Sequence, residues 1–325
     1  MTETPTDDLL NPSTPAFADV GNGITLCYET FGDASAPTLL LIMGLGGQMF
    51  EWRTEFCEQL AAAGFHVVRF DNRDAGLSTF VPEPVDVAAV VQAVLNGDEP
   101  SCPYLLSDMA TDALRLLDHL GVRQAHVVGL SLGGMIAQTM AIEHGERVSS
   151  MTSLMSRTGD PDVGLPSDEA LAAIIAPPST TRDHAIETSV MHSRIWGGAF
   201  TDEADVRAVA AARWDRQAAA DGTARQFAAI IASGSRVEGL RTLSVPTLVI
   251  HGSEDTLIQP DGGVQTADVV PGSRLLMIEG MGHELSRLLW PQLVEAITRH
   301  AMANSGVAGQ AAAPRAEQHP CQARG

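Results

Sequence analysis

Ser131 stands between glycines in Gly129-Leu130-Ser131-Leu132-Gly133. The segment ends the apolar run His126-Val127-Val128 and begins the helical stretch Met135–Ala141. A G-x-S-x-G sequence at a strand–turn–helix junction can hold a nucleophile on a sharp turn. The flanking glycines remove the side chains that would collide with neighbouring backbone there. The helix that follows aims its N-terminus at the same point, which favours developing negative charge. The chemistry indicated is attack by a serine hydroxyl.

A serine hydroxyl needs a base. His283, in Gly280-Met281-Gly282-His283, follows one strand-like run and precedes a helical one, so a glycine-flanked loop can carry its imidazole to the end of a sheet. His251, at a strand end, reads as a packed structural histidine. His66 and His126 lie inside strand runs, and His184 and His192 fall in a helical region that could touch substrate. His119, His144, His300 and His319 read as surface histidines. The imidazole needs a carboxylate to fix its tautomer. Asp255, in Gly252-Ser253-Glu254-Asp255, follows the strand-like 245–251, with Glu254 as its rival neighbour and Asp160 as the alternative position. An oxyanion needs backbone donors. The N–H of Leu132, next to the nucleophile, supplies one, and the Gly-rich turn after residues 38–43 supplies the other through Leu45.

The elements that must position these groups alternate. Strand-like runs lie at 24–30, 38–43, 65–70, 125–130, 148–155, 245–251 and 273–279, and helical patterns at 49–63, 105–120, 132–144 and 284–302. Short, continuous apolar strands between helices imply an α/β protein with a doubly wound, mostly parallel sheet. Residues 160–240 break the rhythm. They hold no buried-strand run and are Ala-rich with helical spacing, so they read as a helical cap inserted before the strand that precedes the acid. The expected organisation is a core over 20–159 and 241–303, the cap at 160–240, and a disordered tail at 304–325.

Five stretches carry a family resemblance: LIMGLGGQMFEW (41–52), RFDNRDAGLS (69–78), HVVGLSLGG (126–134), TLVIHGSEDTLI (247–258) and IEGMGHEL (278–285). Together the chain resembles α/β-hydrolases of the serine carboxylesterase kind, nearest to a bacterial subgroup that includes anthracycline (aclacinomycin) methylesterases. The order Ser131, Asp255, His283 is that of the fold. The chain has Met43-Gly44 where the family commonly has His-Gly. The resemblance implies the α/β-hydrolase fold, a Ser-His-Asp acyl-transfer enzyme without metal or organic cofactor, and structural roles for Asp71 and Arg73. Serine at the elbow argues against the haloalkane dehalogenase and epoxide hydrolase branches. It leaves open a thioesterase, a lactonase, a carbon–carbon bond hydrolase, a perhydrolase, or a non-catalytic ligand receptor.

Composition narrows the partners. The formal net charge is −20, which repels nucleic acid and anionic lipid surfaces. The chain contains no lysine, which excludes Schiff-base and Walker-lysine chemistry and suggests a GC-rich bacterial genome. Four scattered cysteines without metal spacing read as reduced thiols. No signal-peptide pattern and no apolar stretch of spanning length occur, so a cytoplasmic location is expected. The expected partner is a small to medium, largely uncharged ester. Met191, Trp196 and Trp214 are candidate pocket residues, and the oligomeric state is unspecified.

Overall fold

The computed structural model describes residues 15–217 and 221–305. Strands β1 (Ala16–Asp19), β2 (Thr25–Phe31), β3 (Thr38–Ile42), β4 (His66–Phe70), β5 (Ala125–Leu130), β6 (Val148–Leu154), β7 (Thr247–Gly252) and β8 (Arg274–Ile278) form one sheet. Its order is β1-β2-β4-β3-β5-β6-β7-β8. β1 and β2 run antiparallel to their neighbours, and every pairing from β4 to β8 is parallel. The four strands β3, β4, β5 and β7 are buried along their whole length. Their sequences are correspondingly apolar-rich runs rather than strictly alternating ones, with His66, Arg69, His126 and His251 as buried exceptions.

Helices α1 (Thr54–Ala62), α2 (Val87–Asn96), α3 (Leu106–His119) and α4 (Leu132–Glu143) precede β6. Between β6 and β7 come α5 (Asp168–Ile174), α6 (Arg182–Trp196), α7 (Glu203–Arg216), α8 (Asp221–Ser233) and α9 (Val237–Arg241). Helix α10 (Pro260–Val269) joins β7 to β8, and α11 (Trp290–Asn304) follows β8. The core lies on both faces of the sheet. Leu114, Leu117, Leu132 and Ile136 from α3 and α4 pack on one face with Leu40, Val68 and Val127. Phe56 and Leu60 from α1 and Leu293 and Ile297 from α11 pack on the other with Leu39, Leu41 and Val128.

Several details depart from the sequence reading. Residues 16–19, which precede the first strand-like run, pair with β2 as an edge strand. Only Ala18 of the four is buried, so no alternation could show. Helix α2, over VAAVVQAVLN, was not anticipated. Its Asp86 cap and its end at Gly97 (φ +75°) define it. Helix α10 was hidden by Gly262 and Gly263, which weaken helical propensity. His300 is not a surface histidine. It is buried, and its Nε2 donates to the carbonyls of Met151 and Pro246 at 3.2 and 3.3 Å. The expected tail lies outside the described residues from position 306 onward. Among the described residues no helix is long and apolar enough to cross a membrane.

The carboxyl ends of β3, β5, β7 and β8 lie along one edge of the sheet. The turns that follow them carry Leu45, Ser131, Asp255 and His283. That edge is where ligands bind in open parallel sheets.

Candidate active site

Ser131 links β5 to α4 with φ +54° and ψ −116°. Space for that turn exists only because its neighbours are glycines. A Cβ on Gly129 would overlap the Gly133 carbonyl, and one on Gly133 would overlap the Ile42 carbonyl. The turn is fastened from β6: Ser131 N donates to the Leu154 carbonyl at 2.8 Å, and Ser156 Oγ donates to the Ser131 carbonyl at 2.8 Å. A serine at a helix N-cap ordinarily spends its hydroxyl on the helix. Here the side chain makes no capping bond, which leaves Oγ available.

Asp255 and His283 meet. His283 Nδ1 lies 2.7 Å from Asp255 Oδ2. Asp255 is 1% exposed, and the amides of Leu257 and Ile258 donate to its Oδ1 at 3.0 and 2.9 Å. Burial opposes its ionisation. Attraction to His283 and hydrogen bonds from His251 and His283 outweigh burial and hold the carboxyl at about 2. The carboxylate can only accept, so Nδ1 carries the proton and Nε2 is left with a lone pair. His251 supports the acid from below. Its Nε2 donates to the Ile258 carbonyl at 2.8 Å and lies 3.4 Å from Asp255 Oδ2. Asp160 belongs elsewhere: its carboxylate accepts from the Asp162 amide and from Gln265 Nε2.

The turn after β3 approaches the serine closely. A Cβ on Gly44 would lie 3.4 Å from Ser131 Cβ. Asn72 Nδ2 holds the Met43 carbonyl at 3.0 Å, and Gly47 N closes the turn on the Gly44 carbonyl at 3.1 Å. Among the described residues, neither Leu45 N nor Leu132 N donates to a protein acceptor. Asp71 braces the far end of the turn by accepting from Met49 N and Leu77 N, and Arg73 pairs with Asp112 at 2.6 Å.

Met43, Leu130 and His283 line a cavity of about 730 Å³. Trp196 and Phe200 line it, with the His192 ring tilted by 35° against Trp196 at 4.6 Å between centroids. Met191, one position from His192, faces solvent instead, at 46% exposure. One residue is about 100° of helix, enough to turn it outward. Trp214 borders a second, smaller cavity beside Leu45 and Gly46. The main cavity is more charged than the helical patterning indicated. Arg53, Arg213 and Arg287 line it, paired with Asp205, Glu51 and Asp205 respectively.

Glu284, beside His283, was not singled out from sequence, because an acid at the head of a helix looks like an ordinary first-turn residue. Thr201 Oγ1 donates to it at 3.2 Å. Burial dominates, and despite Thr201 and His283 it raises the carboxyl to about 7. Cys27 and Cys57 offer no rival nucleophile, since burial pushes both thiols up to about 12. Among the described residues no three metal-ligating side chains gather into a cluster. The site thus holds a serine hydroxyl that makes no capping bond, an imidazole paired with a buried carboxylate, and two amides that donate to no protein acceptor among the described residues.

Comparison with known proteins agrees with that geometry. A family model described as the alpha/beta hydrolase fold matches residues 37–286. A rhodomycin D methylesterase from a Streptomyces species is 31% identical over 308 residues, covering 86% of this chain and 96% of the relative. A 3-oxoadipate enol-lactonase from Acinetobacter baylyi is 25% identical, covering 79% of this chain and 85% of the relative. Among solved structures, an esterase from a Rhodococcus species superposes with a TM-score of 0.69 at 19% identity, over 90% of this chain and all of that one. At that identity the likeness shows the fold alone.

Two outcomes follow from the geometry. Asp255→Asn should lower kcat strongly, on the order of 10⁴-fold, because the asparagine amide favours the wrong His283 tautomer. Asp160→Asn should change it little, and a reversed ranking in steady-state kinetics would place the acid after β6. Glu284 makes stability depend on pH. The folded protein keeps a proton that the unfolded chain releases near 4.5, so the contribution of Glu284 to stability falls as pH rises from about 4.5 through about 7. Across that window the melting temperature of wild type should fall relative to that of Glu284→Gln. Parallel curves would contradict it.

Proposed function

The chain belongs to the family of the α/β hydrolase fold, and from that premise we propose that it is a carboxylic ester hydrolase working through an acyl-enzyme on Ser131. Ser131 Oγ attacks the ester carbonyl while His283 Nε2 takes its proton. The tetrahedral oxyanion accepts hydrogen bonds from the Leu45 and Leu132 amides. The intermediate collapses, the C–O bond breaks, and the proton from His283 leaves with the alcohol. Water then repeats the sequence on the acyl-enzyme and releases the acid. Asp255 holds the imidazole tautomer and stabilises the imidazolium formed twice per cycle.

The observation that carries this reading is the 2.7 Å contact of His283 Nδ1 with a buried carboxylate, on the same edge of the sheet whose β5 end carries a serine with a hydroxyl that caps nothing. The methylesterase relatives favour an ester over the other bonds this machinery can cleave. The helices between β6 and β7 act as a cap over the nucleophile. The cavity is of a size for a ligand of medium bulk. Its Met43, Leu130, Trp196 and Phe200 lining suits an uncharged apolar body, and its paired arginines and acids suit a substrate that also carries polar groups.

The test is kcat/KM for p-nitrophenyl esters from acetate to palmitate, beside methyl esters of bulky polycyclic acids. Ser131→Ala should abolish turnover, and a compact pocket should favour short acyl chains and compact ring acids over palmitate. One methylene shifts discrimination by about 1–3 kcal/mol, so successive chain lengths should differ in kcat/KM by no more than about 10- to 200-fold. An active Ser131→Ala variant, or a maximum at palmitate, would overturn the reading.

A further inference from the structure

The turn that carries Leu45 is held from two sides. On the core side, Asn72 fixes the Met43 carbonyl. On the other side stands helix α8. Gln226, with no exposed surface, accepts from Gly46 N through Oε1 at 2.8 Å and donates from Nε2 to the Arg73 carbonyl at 2.7 Å. Thr223, one helical turn earlier, presses on the same residue: a Cβ on Gly46 would meet its Oγ1 at 2.7 Å. Helix α7 adds a second strap. Gln48 Nε2 donates to the carbonyls of Arg213 and Gln217 at 3.0 and 3.1 Å. Its Oε1 accepts from Arg216 at 2.8 Å.

The Leu45 amide, between these fixed ends, donates to no protein acceptor among the described residues. Gly44 has no side chain to restrain it, and Gly46 sits at φ +65°, where glycine is freest. The Leu45 N–H shares its peptide plane with the Gly44 carbonyl, which accepts from Gly47 N at 3.1 Å, so its direction follows the placement of the Gly44–Gly47 turn. From outside that turn, Gly46 N is pinned by one hydrogen bond, to a residue 180 positions away.

We infer that Gln226 is a positioning residue: by holding Gly46 N from helix α8 it aims the Leu45 amide at the oxyanion, so the segment between β6 and β7 completes the oxyanion site as well as covering it. This rests on the ester-hydrolase reading above. Its physical content is that a misdirected donor weakens the transition state more than the ground state.

The experiment uses the full chain and two substitutions. Gln226→Met keeps the volume and loses both bonds. Gln226→Glu keeps an oxygen for Gly46 N and loses the donor to Arg73. Three quantities are read on each: kcat and KM for one ester, the inhibition constant of a trifluoromethyl ketone, and the melting temperature. The ketone forms a hemiketal whose oxygen occupies the oxyanion position. Gln226→Met should lower kcat about 10- to 100-fold, as expected for misplacing one donor rather than deleting it. KM should stay within about twofold, the ketone should weaken in step with kcat, and Gln226→Glu should recover most of both. An unchanged kcat in Gln226→Met overturns the inference. So does a loss of kcat that tracks melting temperature while ketone affinity holds, and so does a Gln226→Glu variant no better than Gln226→Met. A wild-type protein that neither cleaves esters nor binds the ketone overturns the ester-hydrolase reading, and this inference with it.

Discussion

Ser131 occupies a backbone conformation that a side-chain-bearing residue rarely adopts, at φ +54°. Such a residue costs on the order of 1–3 kcal/mol and persists only where its surroundings over-determine it. The surroundings here are specific. Gly129 and Gly133 let the first turn of α4 lie against the ends of β5 and β3, and the parallel neighbour β6 takes up the serine amide. The fully buried strands supply the rigidity, since a sheet packed on both faces cannot relax to release one turn. Every other group at the site is placed relative to this elbow.

The histidine loop and the helices between β6 and β7 are joined rather than merely adjacent. His283 N donates to the Trp196 carbonyl at 2.6 Å, Ala199 N donates to the Gly280 carbonyl at 2.8 Å, and Thr256 Oγ1 donates to the Ile195 carbonyl at 2.7 Å. Gly282 has no room for a side chain against Trp196. Further along, Arg216 pairs with Asp71 at 2.7 Å and Arg225 with Asp74 at 2.8 Å, each with the carboxylate side chain fully buried. Buried pairs contribute little net stability but penalise any arrangement that separates them. They therefore fix the orientation of α7 and α8 on the core, which is what a shaped cavity requires.

The chemistry was legible because it is local. A serine between two glycines at a strand end, a glycine-flanked histidine and an aspartate after the next-to-last strand each announce themselves within a few residues, and the sheet brings strand ends together. The buried strands were legible because both of their faces are apolar. The cavity was not. Whether Met191 or His192 faces inward depends on the tilt of α6, which periodicity over a mixed, Ala-rich segment does not determine. Trp214 follows the same logic and turns to the smaller cavity. Gln226 and Glu284 act through partners far along the chain or through burial, and neither leaves a pattern in the local sequence.

The central claim is that Ser131 and the Leu45 and Leu132 amides act on one reacting carbonyl. It is tested most directly by the crystal structure of the protein after reaction with a fluorophosphonate. The expected density joins phosphorus to Ser131 Oγ, with the phosphoryl oxygen within hydrogen-bond distance of both amides and His283 Nε2 beside the ester oxygen. Modification of another residue, or a phosphoryl oxygen turned away from the Leu45 and Leu132 amides, would contradict it.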